Sequence, residues 1–152
     1  MALYLVQHGK SLSKDNDPEQ GLSEEGIAEV RRIANVAKGY GVKAASIKHS
    51  VKKRARQTAE IFAPALLAKG DIEEMTGLKP MDDIKVMAKG LNSKDNIMLV
   101  GHLPFMERLT AYLITGSPDG EVFKFQNGGI VCMDQTAQEN WVIKWTLMPN
   151  IK

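Results

Sequence analysis

The chain has 152 residues, of which 43% are hydrophobic and 25% are charged, and its formal net charge at pH 7 is +2. These values predict one compact globular domain over residues 1–152, and they give no support to binding of nucleic acid or of a strongly acidic partner. The single cysteine, Cys132, excludes an internal disulfide, and the lack of a signal peptide and of a membrane-length apolar segment favours a cytoplasmic protein.

The first part of the chain predicts a strand, a polar loop and a helix. Residues 3–6 form a short apolar run without a breaker, which indicates a buried strand that ends at Gln7, His8 and Gly9. A polar, exposed loop follows over residues 10–20. Ser23 is suited to cap the next helix, which ends near residues 39–41. The buried stripe of this helix recurs at helical spacing and comprises Ile27, Val30, Ala34 and Ala37.

A second strand and helix follow the same order. Residues 44–48 predict a strand that ends at His49 and Ser50, before a helix that begins at about residue 51. Pro64 interrupts this helix and predicts a kink or an early end, because proline lacks the amide that an interior helical position donates. Residues 71–77 indicate a short strand and a turn.

The next segment again pairs apolar runs with prolines at helix starts. Pro80 predicts the start of a third helix, because proline is favoured in a first turn. The stripe of that helix comprises Met81, Ile84, Ala88 and Leu91. Residues 97–100 predict a buried strand that ends at Gly101 and His102, and Pro104 opens a fourth helix.

The C-terminal part of the chain predicts strands alone. Residues 122–125, 130–133 and 141–147 indicate strands, and a turn at residues 127–129 separates the first two. The last strand alternates apolar and polar residues, as a half-buried strand does. Taken together, the elements predict a three-layer α/β/α sandwich with a mostly parallel central sheet that closes with antiparallel strands.

Polar residues suited to binding phosphate follow three of the predicted strands. They are Gln7-His8-Gly9, His49-Ser50 and Gly101-His102. Because the carboxyl ends of such strands can converge on one pocket, we expect these residues to lie close together. Arg54 and Arg56 fall in the first turns of the second helix, where backbone amides already favour anions and a guanidinium adds bidentate contacts.

Four segments in this order resemble the histidine phosphatase superfamily, whose fold is phosphoglycerate mutase-like. They are Gln-His-Gly at 7–9, Leu-Ser-Glu-Glu-Gly at 22–26, Ser-Val-Lys-Lys-Arg-Ala-Arg-Gln-Thr-Ala at 50–59 and Val-Gly-His at 100–102. The small size of the chain, and Leu103-Pro104 after the second histidine, are similar to the SixA-type phosphohistidine phosphatase branch. The combination predicts the fold because each motif has the strand–turn–helix context that it requires.

The resemblance implies a role for five residues and requires no cofactor or metal. His8 resembles the nucleophile that takes the phosphoryl group and passes it to water, and Arg54 resembles a phosphate-binding arginine. His102 resembles the second histidine, which stabilises charge on the transferring oxygens. Ser50 and the backbone amide of Leu103 are expected as further phosphate contacts. A neutral imidazole is a good nucleophile near pH 7, and cationic groups stabilise the phosphoryl transition state.

Gln7 departs from the family pattern, in which an arginine usually precedes the first histidine and binds the phosphate. Glutamine donates hydrogen bonds but brings no charge, and loss of one such donor in other sites costs roughly 3–4 kcal/mol of transition-state stabilisation. Positive potential could instead come from one of four nearby cations. These are Lys10, Lys52, Lys53 and Arg56.

A general acid is missing from the motifs, although four carboxylates fall in the region where larger relatives have one. These are Glu73, Glu74, Asp82 and Asp83. A phosphoramidate can dispense with this acid, because its leaving nitrogen can be protonated from solvent. The sequence therefore favours a phosphohistidine phosphatase that acts on a phosphohistidine-bearing protein or a small phosphorylated substrate.

Two other functions stay open on the sequence alone. In the first, Gln7 weakens turnover, and the chain is a module that binds phosphate or a phosphoprotein. In the second, the chain is a small-molecule phosphomonoesterase. Binding of nucleic acid is disfavoured by the low net charge and the lack of an aromatic platform, and the spacing of histidines and cysteine does not fit zinc. For His49 we expect a structural or merely exposed position.

Overall fold

The computed structural model describes residues 1–151, which form a central sheet flanked by helices. The strands in this part of the chain are β1 Leu3–Gln7, β2 Ser46–His49, β3 Glu73–Glu74, β4 Ile97–Gly101, β5 Ile130–Gln135 and β6 Trp141–Leu147. The helices are α1 Glu24–Gly39, α2 Lys53–Leu66, α3 Ile84–Lys89 and α4 Phe105–Thr115, with a 3-10 turn at Ser93–Asp95. Within residues 1–151, no helix combines the length and the hydropathy that a membrane-spanning segment needs.

The sheet has the order β3-β2-β4-β1-β5-β6. The first four of these strands are parallel, β5 is antiparallel to β1, and β6 is antiparallel to β5. Alternate residues of β1 pack on opposite faces: Tyr4 and Val6 join the core under α1 and α2, whereas Leu3 and Leu5 join the core under α3 and α4. This is the predicted three-layer α/β/α sandwich with a mostly parallel sheet.

Most predicted elements are confirmed. The side chain of Ser23 accepts from the amide of Gly26 at the start of α1, as expected of an N-cap. Val30, Ala34 and Ala37 are buried in α1. Pro64 lies inside α2, which ends two residues later at Leu66, so the predicted early end is observed.

Two predicted elements are wrong. The third helix begins at Ile84 rather than at Pro80, because the carboxylate of Asp83 accepts from the first free amides and makes it the N-cap. Met81, predicted in its stripe, is 76% exposed. Residues 122–125 form no strand; they lie in a loop without regular secondary structure, from which Phe125 packs into the core under α3 and α4.

The topology brings the carboxyl ends of three parallel strands together. β4 lies between β1 and β2, with Gln7 opposite Gly101 and His49 opposite Val100. The amide of His8 donates to the carbonyl oxygen of Gly101 at 3.0 Å, which continues the ladder one residue beyond β1. Residues that are far apart in the sequence therefore meet at one edge of the sheet.

Candidate active site

His8 has a defined tautomer. Its Nδ1 lies 2.7 Å from the carbonyl oxygen of Gly9, and because a carbonyl oxygen can only accept, Nδ1 bears the ring proton. The Nε–H of Arg54 donates to Nε2 of His8 at 3.3 Å. Both contacts require the free electron pair of the neutral ring to be on Nε2. That nitrogen is therefore the atom of His8 that can attack phosphorus.

Two other side chains hold the backbone around His8. The hydroxyl of Thr58, which is fully buried, accepts from the amide of Gly9 at 2.9 Å and donates to the carbonyl oxygen of Arg54 at 2.8 Å. Nδ2 of Asn127 donates to the carbonyl oxygen of His8 at 3.0 Å. The loop after β1 is thereby tied to α2 on one side and to the turn before β5 on the other.

Arg54 lies in the first turn of α2, where an anion is favoured. The N-cap residue Lys52 makes no side-chain capping hydrogen bond, and the first turn contains no acidic residue. The first amides and the positive end of the helix dipole can therefore act on a bound anion. Burial lowers the pKa of Arg54. An arginine starts from so high a pKa that the guanidinium remains charged at neutral pH.

His102 lies beside His8 and is only 2% exposed. The ring centroids of the two histidines are 5.0 Å apart, with the ring planes tilted by 57°. Nε2 of His102 is 2.5 Å from Oγ of Ser50. Its Nδ1 is buried and has no hydrogen-bond partner within residues 1–151. Because a buried polar atom without a partner is uncommon, Nδ1 is a group that a bound ligand would satisfy.

Both imidazoles are neutral at pH 7. Burial lowers the pKa of His8 to about 4, and the nearby charge of Arg54 adds to that effect, although the hydrogen bond to Gly9 opposes it. Burial also lowers the pKa of His102 to about 3, with further contributions from the neighbouring His8 and from the charges of Arg54 and Lys52. The site therefore holds an unprotonated nucleophile beside a guanidinium.

Gln7 and Leu103 flank the two histidines along the chain. Oε1 of Gln7 is buried without a partner in the described part of the chain. The amide of Leu103, directly after His102, donates to no acceptor within the same residues. The structure thus brings all six predicted positions to one edge of the sheet, and contact of Gln7, Ser50 and Leu103 with phosphate stays a prediction.

Three of the four candidate acids are engaged elsewhere. Glu73 forms an ion pair with Lys48 at 2.8 Å. Asp82 accepts from a backbone amide in the turn before α3, and Asp83 caps that helix. Glu74 is exposed on the edge strand β3.

His49 is a structural residue of β2 in this arrangement. It is 4% exposed, and its Nδ1 lies 2.8 Å from the carbonyl oxygen of Ser50. That contact holds the turn between β2 and α2, from which Ser50 reaches His102.

Thr58 and Asn127 are two site residues for which the sequence predicts no role. Thr58 lies four residues after Arg54, so helical spacing could have placed both on one face of α2. Its bond to the amide of Gly9 joins residues 49 positions apart, which no local pattern reveals. The sequence predicts Asn127 only as part of a turn, and the turn at residues 127–128 does contain it.

The fold, together with two histidines and an arginine at one site, is typical of one class of protein. Comparison with known families identifies that class. The family model described as histidine phosphatase superfamily, branch 1, matches residues 3–86, which is more than half of the chain. The chain therefore belongs to the histidine phosphatase superfamily and is a phosphatase.

Individual relatives show which members of the superfamily the chain resembles. The chain is 26% identical to phosphohistidine phosphatase SixA of Escherichia coli K12, in an alignment that covers 100% of this chain and 97% of the relative. The solved structure of the protein histidine phosphatase SixA with tungstate superposes with a TM-score of 0.81 at 25% identity, covering 98% of this chain and 97% of that one. A phosphoserine phosphatase from Entamoeba histolytica, in complex with 3-phosphoglyceric acid, has a TM-score of 0.72 at 16% identity and covers 96% of each chain, which shows a shared fold.

Proposed function

We propose that the chain, as a single domain over residues 1–152, is a cytoplasmic phosphohistidine phosphatase that works through a phosphoryl group held covalently on His8. The observation that supports this most directly is the geometry at His8. Its Nε2 is unprotonated, because Nδ1 donates to Gly9 and the Nε–H of Arg54 donates to Nε2. A nucleophile with a guanidinium at the same atom is suited to attack on a phosphoryl group.

The first step transfers the phosphoryl group from substrate to enzyme. The electron pair on Nε2 of His8 forms the new N–P bond as the P–N bond to the substrate imidazole breaks. The leaving imidazole keeps the bonding electrons and takes a proton from solvent. The phosphorylated ring of His8 is positively charged, and its Nδ1–H remains bonded to the carbonyl oxygen of Gly9, 2.7 Å away in the free protein.

The second step returns the enzyme to its starting state. A water oxygen attacks the phosphorus, the P–Nε2 bond breaks with its electrons returning to His8, and a proton of the water passes to solvent. In both steps negative charge develops on the oxygens of the transferring group. Arg54 neutralises part of this charge, and Nδ1 of His102, which lacks a protein partner in the described chain, donates to one of these oxygens.

The lack of a positioned acid supports a phosphoramidate substrate. Of the four candidate carboxylates, one is in an ion pair, one accepts from an amide within a turn and one caps a helix, and Glu74 is exposed on an edge strand. An ordinary phosphomonoester needs a proton for its leaving oxygen, whereas a phosphoramidate nitrogen can take one from solvent. The SixA relative, whose name is phosphohistidine phosphatase, is consistent with this choice of substrate.

The proposal is tested by trapping the intermediate. The native protein is mixed with radiolabelled phosphohistidine or phosphoramidate and quenched in alkali, and label on the protein is expected to be acid-labile and stable to base. The label should disappear in His8→Ala and still form in His49→Ala, even where loss of the contact between His49 and Ser50 slows its formation, because the ring of His49 does not face the phosphoryl group. Label that survives His8→Ala would contradict the assignment of the nucleophile.

Gln7 favours a second candidate function, a module that binds phosphate or a phosphoprotein with little turnover. Kinetics of the native protein and of Gln7→Arg separate the two. Turnover of phosphoramidate by the native protein supports the enzyme, whereas bound phosphate with no turnover supports the module. A panel of phosphate esters run alongside tests the remaining possibility of a small-molecule phosphomonoesterase.

A further inference from the structure

The phosphate site proposed above has less positive charge than its ligand requires. Gln7 is uncharged, and His8 and His102 are neutral at pH 7 because their pKa values are about 4 and about 3. Arg54 is then the one guanidinium among the predicted site residues. A phosphoryl group near neutral pH has up to two negative charges, and moving it into a half-buried site without a matching charge is unfavourable.

Three of the four cations near the site already have carboxylate partners. Nζ of Lys10 lies 2.7 Å from Oε1 of Glu25, and Nε of Arg56 lies 3.8 Å from Oε1 of Glu60. Lys53 lies 3.0 Å from Asp17 in the loop before α1. Each of these three side chains is therefore directed to a carboxylate.

Lys52 differs from these three residues. The ion pairs formed within residues 1–151 do not include it. Its backbone amide donates to Oγ of Ser50 at 3.4 Å, and the same Oγ contacts Nε2 of His102. Lys52 is exposed, and its positive charge makes the smallest of the four contributions that lower the pKa of His102, after burial, His8 and Arg54. Lys52 is also the N-cap of α2, so its ammonium adds to the positive end of that helix.

We propose that Lys52 supplies the second positive charge for the transferring phosphoryl group, in the place of the arginine that Gln7 replaces. This inference rests on the proposed phosphatase function. A lysine is suited to this role because its flexible stem lets the ammonium follow the phosphoryl oxygens as the bonds at phosphorus change. It lacks the bidentate fork of arginine, so it provides charge more than orientation.

The experiment compares Lys52→Met with Lys53→Met, which removes the neighbouring charge that Asp17 already compensates. We expect kcat/KM for phosphoramidate to fall about tenfold in Lys52→Met and to stay within about twofold in Lys53→Met, because an exposed charge acts through partly screened electrostatics. Lys52→Arg should retain most of the activity. Equal kinetics of the two methionine variants would overturn the inference.

A second comparison tests whether a positive charge at position 7 and one at position 52 have the same role toward the phosphoryl group. Gln7→Arg is introduced into the native chain and into Lys52→Met, and the gain in kcat/KM is expected to be larger in the variant, because the first charge restored matters more than an additional one. Identical gains in both backgrounds would contradict replacement of arginine by Lys52.

A binding measurement keeps the inference distinguishable from the proposed function. If the native protein turns over no phosphoramidate, the enzymatic proposal fails, but the affinity for inorganic phosphate can still be measured by calorimetry at low salt. Lys52→Met should then weaken binding about tenfold and Lys53→Met should not. Equal affinities of the two variants would overturn the role of Lys52 whether or not the chain is an enzyme.

Discussion

Replacement of Thr58 by valine tests the contact that holds the loop of His8 on α2. The hydroxyl accepts from the amide of Gly9 at 2.9 Å and donates to the carbonyl oxygen of Arg54 at 2.8 Å, and the residue is fully buried. Valine has nearly the same shape, so the change removes the hydroxyl with little change in packing. The carbonyl of Arg54 keeps its helical bond, whereas the amide of Gly9 loses its acceptor.

The expected loss follows from that unsatisfied amide. A buried N–H without an acceptor costs about 1–3 kcal/mol, so the free energy of unfolding should fall by that amount. The carbonyl oxygen of Gly9 also accepts from Nδ1 of His8, so displacement of Gly9 rotates or releases the ring. Misplacement of a reacting group by about 1 Å can lower a rate about a hundredfold, so kcat should fall by about tenfold or more, with a smaller change in KM.

Thr110→Val is the matched control. Thr110 is also fully buried in a helix, and its hydroxyl donates only to the carbonyl oxygen of Met106, four residues earlier. Valine there leaves no amide without an acceptor. Denaturant unfolding and phosphoramidate kinetics of both variants therefore isolate the contribution of the Gly9 contact. Equal losses of stability in the two variants, together with an unchanged kcat in Thr58→Val, would refute the reasoning.

Three other predictions test the packing, the loop and the histidines. Gly26→Ala should lower the free energy of unfolding by about 1–3 kcal/mol, because an added Cβ would overlap the carbonyl oxygen of Lys10, whereas Gly39→Ala in the same helix meets no atom and should not. Asn127→Ala removes the donor to the carbonyl of His8, so kcat in a turnover assay should fall by about tenfold with KM little changed. The free energy of unfolding, measured with denaturant, should be lower at pH 5 than at pH 7, because the site histidines have pKa values of about 4 and about 3. This difference between the two pH values should be smaller in His8→Asn.

The sign of the pH effect follows from proton binding. A histidine in the unfolded chain has a pKa of about 6.5, so between that pH and its lower folded value the unfolded state binds more protons. Stability therefore decreases as the pH falls through this range. Stability that is unchanged or higher at pH 5 would contradict neutral, buried imidazoles. For the other two variants, the contrary results are equal stabilities of the two alanine-for-glycine proteins and unchanged turnover of Asn127→Ala.

Elements that depend on interactions between residues close in sequence could be predicted from the local sequence pattern. The apolar run that ends at Gln7 predicts β1, and Ser23 predicts the start of α1 because its side chain reaches an amide only three residues away. The start of α3 was missed because two local signals compete. Pro80 is favoured in a first helical turn, but the carboxylate of Asp83 satisfies the free amides, and the helix begins after it.

The fold class and the polar residues at the strand ends can be predicted from the amino-acid pattern alone, because periodicity and capping act over a few residues. How those strand ends meet depends on the packing of the whole chain. The strand order β2-β4-β1 brings Ser50 into contact with His102 and Arg54 into contact with His8. The amide of Gly9 donates to the hydroxyl of Thr58, which lies on another element. Such contacts depend on which strands pair and which buried groups still need partners, and both are properties of the whole packed chain.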